Sequence, residues 1–177
     1  LNLALSHAQG SFICRCDSDD LFPIERLKTQ LDWLNSHRNY IAVSGKFSSM
    51  DKRGVVISAF NSGDTECNIT QELLSGDTRT HLGTYLVRST KLKEINGFRD
   101  YFVTAEDIDF QLRLAESGSI GYIPDNMYFY RLHHNSITHV QSSNKRIFYE
   151  NIAREFLKQR QEKGEDQLQN GTPPAPP

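Results

Sequence analysis

Gly10-Ser11-Phe12-Ile13-Cys14-Arg15-Cys16-Asp17-Ser18-Asp19-Asp20 sets a short apolar run directly before three carboxylates in four positions. The run, Ser11 to Cys16, reads as a buried strand, and the acids fall at its C-terminal end. In open α/β sheets ligands bind at that edge. Carboxylates this close repel one another unless a cation or hydrogen-bond donors compensate them. Hard oxygen ligands on a short loop suit Mg²⁺ or Mn²⁺, which takes one or two protein carboxylates and fills its shell with substrate phosphates. The chemical reading is a metal-assisted diphosphate site. The plainer one is a loop whose aspartates cap the following helix, and Asp20 alone is well explained that way. An EF-hand starting at Asp17 fails, because its sixth and twelfth positions hold Phe22 and Lys28. A haloacid-dehalogenase-type phosphatase also carries Asp-x-Asp after an apolar strand, but usually places Thr or Val where this chain has Leu21.

Outward from this loop, strand and helix periods alternate. Pro23 suits a first helical turn, and Ile24, Leu27, Leu31 and Leu34 recur at helical spacing to about His37. Tyr40 to Phe47 and Val55 to Phe60 read as strands around a turn at Asp51–Gly54, which makes this part of the sheet antiparallel. A short helix is expected near 69–74, a strand at Leu82–Arg88 and a short helix at Lys91–Asn96. Thr104 as N-cap with Asp107 three residues on predicts a helix closed by Gly118. Ile120–Ile123 and Met127–Leu132 read as two strands around a Pro124–Asn126 turn, followed by an amphipathic helix over Ser143–Lys158. The class is α/β. Leu1, Ala4, Leu5 and Ala8 form a helical stripe already under way at the first residue, so the chain reads as cut inside a helix. Residues 1–158 form the domain. From 159 to 177 apolar periodicity is lost and four of the six prolines fall in the last five positions, which reads as a disordered tail.

Composition excludes several classes. A formal charge of −2 argues against a general nucleic-acid binder. The 37% apolar content is too high for a disordered chain, and no apolar run is long enough to cross a bilayer. Cys14, Cys16 and Cys67 are odd in number and lack C-x-x-C spacing; they read as small apolar residues in a reducing, cytoplasmic protein.

A second acidic centre, Glu106-Asp107, opens the Thr104-capped helix. A general base needs a carboxylate aimed by a rigid element, although capping alone also accounts for Asp107. The two centres, about ninety residues apart, occur with Ala8-Gln9-Gly10, Pro23 to Gln30, Gly83-Thr84-Tyr85-Leu86-Val87-Arg88 and Ile95-Asn96-Gly97-Phe98-Arg99. Thr104-Ala105-Glu106-Asp107-Ile108-Asp109 through Arg113 and Tyr130-Arg131-Leu132-His133 with Ser136 complete the series. In this order and spacing, roughly residues 1–140, the chain resembles the family 2 glycosyltransferases of the GT-A fold.

The resemblance implies a Rossmann-like GT-A sandwich lacking its first strands, since the elements that hold the nucleoside base and ribose are absent. It implies transfer of a sugar from a nucleotide-diphosphate sugar donor to an acceptor hydroxyl, metal-dependent and inverting, with a chain that binds donor poorly alone. Asp17 and Asp19 match the Asp-x-Asp motif that binds donor through a divalent cation (Mn or Mg), with Asp20 beside them on the donor side. Asp107 matches the acceptor-activating acid, and Glu106 supports it. His133 sits where a side chain can reach the metal or diphosphate. Gly83 and Gly97-Phe98 match acceptor-site scaffold. Arg88 and Arg113 read as surface ion pairs, and Trp33 and Tyr128–Tyr130 as packing. The acceptor class stays open among glycan, lipid-linked and protein hydroxyls, in a cytoplasmic setting or at the inner face of the membrane, as in cell-envelope polysaccharide assembly. A non-catalytic sugar-nucleotide or glycan-binding module is the alternative.

Overall fold

The computed structural model describes residues 1–60, 62–132 and 143–176. Its helices are α1 (Asn2–His7), α2 (Arg26–Ser36), α3 (Thr70–Leu74), α4 (Ser89–Glu94), α5 (Glu106–Glu116) and α6 (Ser143–Lys163), with a 3₁₀ turn at Leu82–Thr84. Its strands are β1 (Phe12–Cys14), β2 (Tyr40–Met50), β3 (Val56–Phe60), β4 (Cys67–Asn68), β5 (Leu86–Arg88) and β6 (Ser119–Arg131). They form one mixed sheet in the order β1-β5-β2-β6-β4, and β3 pairs with β2 as a hairpin. The long β2 and β6 run parallel over their whole lengths, while β5 is antiparallel to both β1 and β2.

Residue alternation along the strands divides the core in two. Ala42, Val87, Ile120 and Tyr122 face a cluster completed by Leu73, Leu92, Phe110 and Leu114, from α3, α4 and α5. Val43, Leu86 and Ile123 face the other side, where Leu34 of α2 and the partly buried Trp33 cover them. Trp33 lies flat on Gly121, where any Cβ would collide with its ring. The sheet is therefore sandwiched between helices. A third cluster joins Ile108 and Leu112 of α5 to Tyr149, Ala153, Phe156 and Leu157 of α6. Both apolar stripes of α5 are thus buried, one against the sheet and one against α6.

The structure departs from the sequence reading in four places. Pro124–Asn126 does not turn the chain: β6 is one strand, and the β2–β6 register shifts near Gly45, Lys46 and Phe47 to absorb the irregularity. Thr104 does not cap α5; Ala105 holds the N-cap position at φ 57°, with no side-chain cap hydrogen bond. Arg88 and Arg113 are not surface ion pairs. Arg88 donates to the Leu34 and Tyr40 carbonyls, and Arg113 is buried against Asp109 and the Ile95 and Gly97 carbonyls.

The fourth is the segment from 159, which is not a loose tail in the structure. The last helix runs on to Lys163, and Asp166 is fully buried. Asp166 accepts hydrogen bonds from Arg99 at 2.6 Å and from Arg160, while Arg99 also pairs with Asp109 and Arg160 with Glu116. The composition of this segment buries little apolar area, and ion pairing across 67 residues of sequence holds it instead. Burial alone would raise the Asp166 pKa, but the hydrogen bonds from Arg99 and Arg160 outweigh it and hold the group below its usual 3.8. A depressed folded pKa stabilises the fold above the unfolded value and is lost as pH falls through the folded one. Asp166→Asn is expected to cost about 3 kcal/mol at pH 7, by leaving two partly buried guanidinium groups short of a carboxylate. Denaturant titrations should show the gap between variant and wild type closing as pH falls below about 4.

Candidate functional site

The acidic loop is held by β6. Asp20 is buried, and both its oxygens accept hydrogen bonds at 2.7 Å, one from the Tyr128 hydroxyl and one from the Arg131 backbone N–H. The same Tyr128 hydroxyl accepts the Asp17 backbone N–H at 3.0 Å. Arg131 Nε donates to the Asp19 carbonyl at 2.6 Å, and Leu21 exchanges two backbone hydrogen bonds with Phe129. Burial and the neighbouring Asp19 and Asp17 charges push the Asp20 pKa up, against the pull of the Arg131 and Tyr128 donors. Burial likewise raises the Tyr128 phenol, so it remains a neutral donor. With Asp20 anchoring the loop from within, the half-buried Asp17 and exposed Asp19 line a cleft of about 1060 Å³.

Glu106 and Asp107 line that same cleft from the start of α5. Arg15 ties the two centres together. Its guanidinium grips Asp17 through two hydrogen bonds, at 2.7 and 3.0 Å, and reaches Glu106 Oε1 at 3.4 Å. Burial would lower the Arg15 pKa, but the Asp17 and Glu106 carboxylates more than offset this, so the cation persists. Because Ala105 rather than Thr104 occupies the N-cap position, capping does not account for Asp107.

His81 was not singled out by the sequence and also lines the cleft. Its Nδ1 accepts the Gly83 N–H at 3.0 Å and its ring stacks on Tyr128, with centroids 5.3 Å apart. Burial lowers its pKa, with the Asp107, Asp17 and Asp20 charges opposing and Arg15 assisting. Gly83 is required by close approach, since a Cβ there would lie 2.6 Å from the Tyr128 ring and 2.8 Å from His81 Nδ1. Its small size serves these side chains rather than a ligand. Phe98, Arg99 and Arg146 of α6 also line the cleft. A period-2 reading continued past the strand could have found Arg15, which stands two residues before Asp17 just beyond the end of β1. His133 lies outside the described residues.

Among the described residues, no three His, Cys, Asp or Glu side chains stand close enough to hold a metal ion between them. Asp19 is exposed at the loop, beside Asp17, whose two oxygens Arg15 engages; a hard cation there would draw most of its ligands from phosphate oxygens, the arrangement Mg²⁺ favours. Cys14, Cys16 and Cys67 are all free thiols, and Cys16 is exposed rather than buried. No helix among the described residues is long and apolar enough to cross a membrane.

A mixed sheet is thus sandwiched by helices, and acids at a strand edge share one cleft with acids at a helix start. This architecture is similar to that of Staphylococcus aureus TarS 1–349 in complex with UDP-GlcNAc, with a TM-score of 0.63 at 23% identity, covering 85% of this chain and 43% of that one. The sequence model of Glycosyl transferase family 2 matches residues 1–88. EpsE of Bacillus subtilis (strain 168), itself named only provisionally as a glycosyltransferase, is 36% identical over 124 residues, which are 69% of this chain and 43% of EpsE. The poly(ribitol-phosphate) beta-N-acetylglucosaminyltransferase TarS of S. aureus (strain MW2) is 29% identical over 131 residues, 73% of this chain and 22% of TarS. The chain belongs to the family 2 glycosyltransferases, and it spans less than half the length of these relatives.

Tyr128→Phe tests the anchoring of the acidic loop. It removes a donor from buried Asp20 and an acceptor from the Asp17 N–H, and is expected to lower stability by about 1–3 kcal/mol. Urea unfolding of variant and wild type at neutral pH measures it.

Proposed function

We propose that this domain transfers a sugar from a nucleotide-diphosphate sugar to an acceptor hydroxyl with inversion at the anomeric carbon. The observation that carries this reading is the single cleft onto which Asp17, Asp19, Glu106 and Asp107 all open, with Arg15 bridging the two acidic centres. Asp107 is the general base. Its carboxylate takes the proton as the acceptor oxygen bonds to the anomeric carbon, while the bond from that carbon to the diphosphate oxygen breaks. Glu106, held by Arg15, keeps the start of α5 aligned with the donor loop. The anchored loop presents Asp19, with Asp17, toward the diphosphate, and Asp20 positions it. Asp19 and Asp17 would hold a divalent cation (Mn or Mg), which would supply Lewis-acid stabilisation of the departing nucleoside diphosphate. UDP-GlcNAc, which the S. aureus TarS structure contains, is the first donor to screen.

Two substitutions in the full-length gene product test this. Asp107→Asn is expected to slow transfer by at least about 100-fold, because a carboxamide cannot accept the proton. Asp19→Ala is expected to abolish transfer and to remove the gain in UDP affinity that Mn²⁺ or Mg²⁺ gives the wild type. Both side chains lie at the cleft surface, so circular dichroism should be unchanged. Full activity in both variants would overturn the mechanism. Glycan binding without donor turnover or metal would point instead to a non-catalytic binding module.

A further inference from the structure

Away from the acidic loop the cleft changes character. Phe47 of β2 and Phe60 of β3 are register partners, and their rings stack with centroids 4.4 Å apart and planes 12° from parallel. His81 extends the row, its centroid 5.7 Å from both Phe47 and Tyr130. All four rings line the cleft that Asp107 opens onto. Cross-strand packing accounts for the Phe47–Phe60 contact, but it does not account for Phe60 remaining 43% exposed at the cleft wall. Fixing the Gly83 N–H on Nδ1 leaves the neutral His81 ring with its proton on Nε2. No hydrogen bond to Nε2 is formed among the described residues.

The row thus offers flat apolar faces beside one N–H donor, next to the proposed base. A pyranose matches this combination, with a C–H face that covers an aromatic ring and hydroxyls on its rim that accept a hydrogen bond. An acyl chain has no use for the donor, and a single Ser or Thr side chain is too short to cover the outer rings. We propose that Phe60, Phe47, His81 and Tyr130 form the acceptor subsite, and that the acceptor is a sugar ring of a glycan. This rests on the glycosyl-transfer reading above and narrows its acceptor to carbohydrate.

Saturation-transfer NMR on the full-length gene product, with UDP and Mg²⁺ present, tests the subsite. The probes are methyl β-D-glucopyranoside, methyl β-D-galactopyranoside and methyl N-acetyl-β-D-glucosaminide. At least one is expected to receive saturation at its ring C–H protons. Phe60→Ala should weaken that binding about tenfold, Phe60→Tyr should retain it, and UDP affinity should stay at the wild-type value in both. Thermal midpoints matching wild type confirm that these exposed substitutions leave the fold intact. Absence of saturation for all three probes would overturn the proposal. So would unchanged glycoside binding in Phe60→Ala, or a loss of UDP affinity there. Failure of the transfer reading looks different: wild type would neither bind UDP nor turn over a donor, while any Phe60-dependent glycoside binding persisted.

Discussion

Three carboxylates within four residues can share a strand end only if the fold supplies enough positive charge and enough donors to offset their repulsion. The rest of the site depends on how this chain does so. One acid, Asp20, is taken inside and held by the Tyr128 hydroxyl and the Arg131 N–H. Another, Asp17, is neutralised by the forked Arg15 guanidinium. Asp19 is left at the surface of the loop with its backbone carbonyl tied to Arg131. The burden is divided so that the loop is rigid at its root and acidic at its tip. That combination suits a ligand carrying its own cation and phosphates.

Tyr128 and Arg131 can do this only because β6 runs parallel to β2 past the end of β1. The pairing extends from Tyr40 opposite Ser119 to Met50 opposite Arg131. It carries the C-terminal half of β6 under the acidic loop, where Leu21 and Phe129 complete a bridge. This continuity was hidden in the sequence. Pro124, Asp125 and Asn126 carry ordinary turn chemistry, and locally nothing distinguishes a turn from a bulge. What decides between them is the partner strand, whose register shifts beside Gly45 accommodate the irregularity without reversing the chain.

The same division separates what was legible from what was not. The strand before Asp17, the helix following Pro23, the 40–60 hairpin and the acidic start of α5 all rest on local periodicity, and each could be read from its own neighbourhood. The family signature also brought Asp17, Asp19, Glu106 and Asp107 to attention, and they line one cleft. Arg15 and His81 escaped because their significance lies in partners far along the chain. Arg15 meets Glu106 across 91 residues, and His81 packs against rings of β2 and β6. Residues 159–176 misled for a similar reason: composition registers the lack of apolar periodicity but not the two arginine–carboxylate contacts, Arg99–Asp166 and Arg160–Glu116, made across the fold.

The start of α5 shows how a local rule can fail where function is concentrated. Thr104 and Asp107 have capping-box spacing, and an ordinary helix would consume that carboxylate's hydrogen-bonding capacity on its own first turn. Here the chain enters through Ala105 in the left-handed region, a conformation unfavourable for a residue with a Cβ. The cost is on the order of 1 kcal/mol. Packing around buried Thr104 and Ala105 sustains it. The result is a helix whose first-turn acids point their chemistry toward a cleft rather than toward their own backbone. A cap would have made Asp107 a stabilising residue; its absence leaves that carboxylate beside His81 and the aromatic wall, at the junction between the charged end of the cleft and the apolar one.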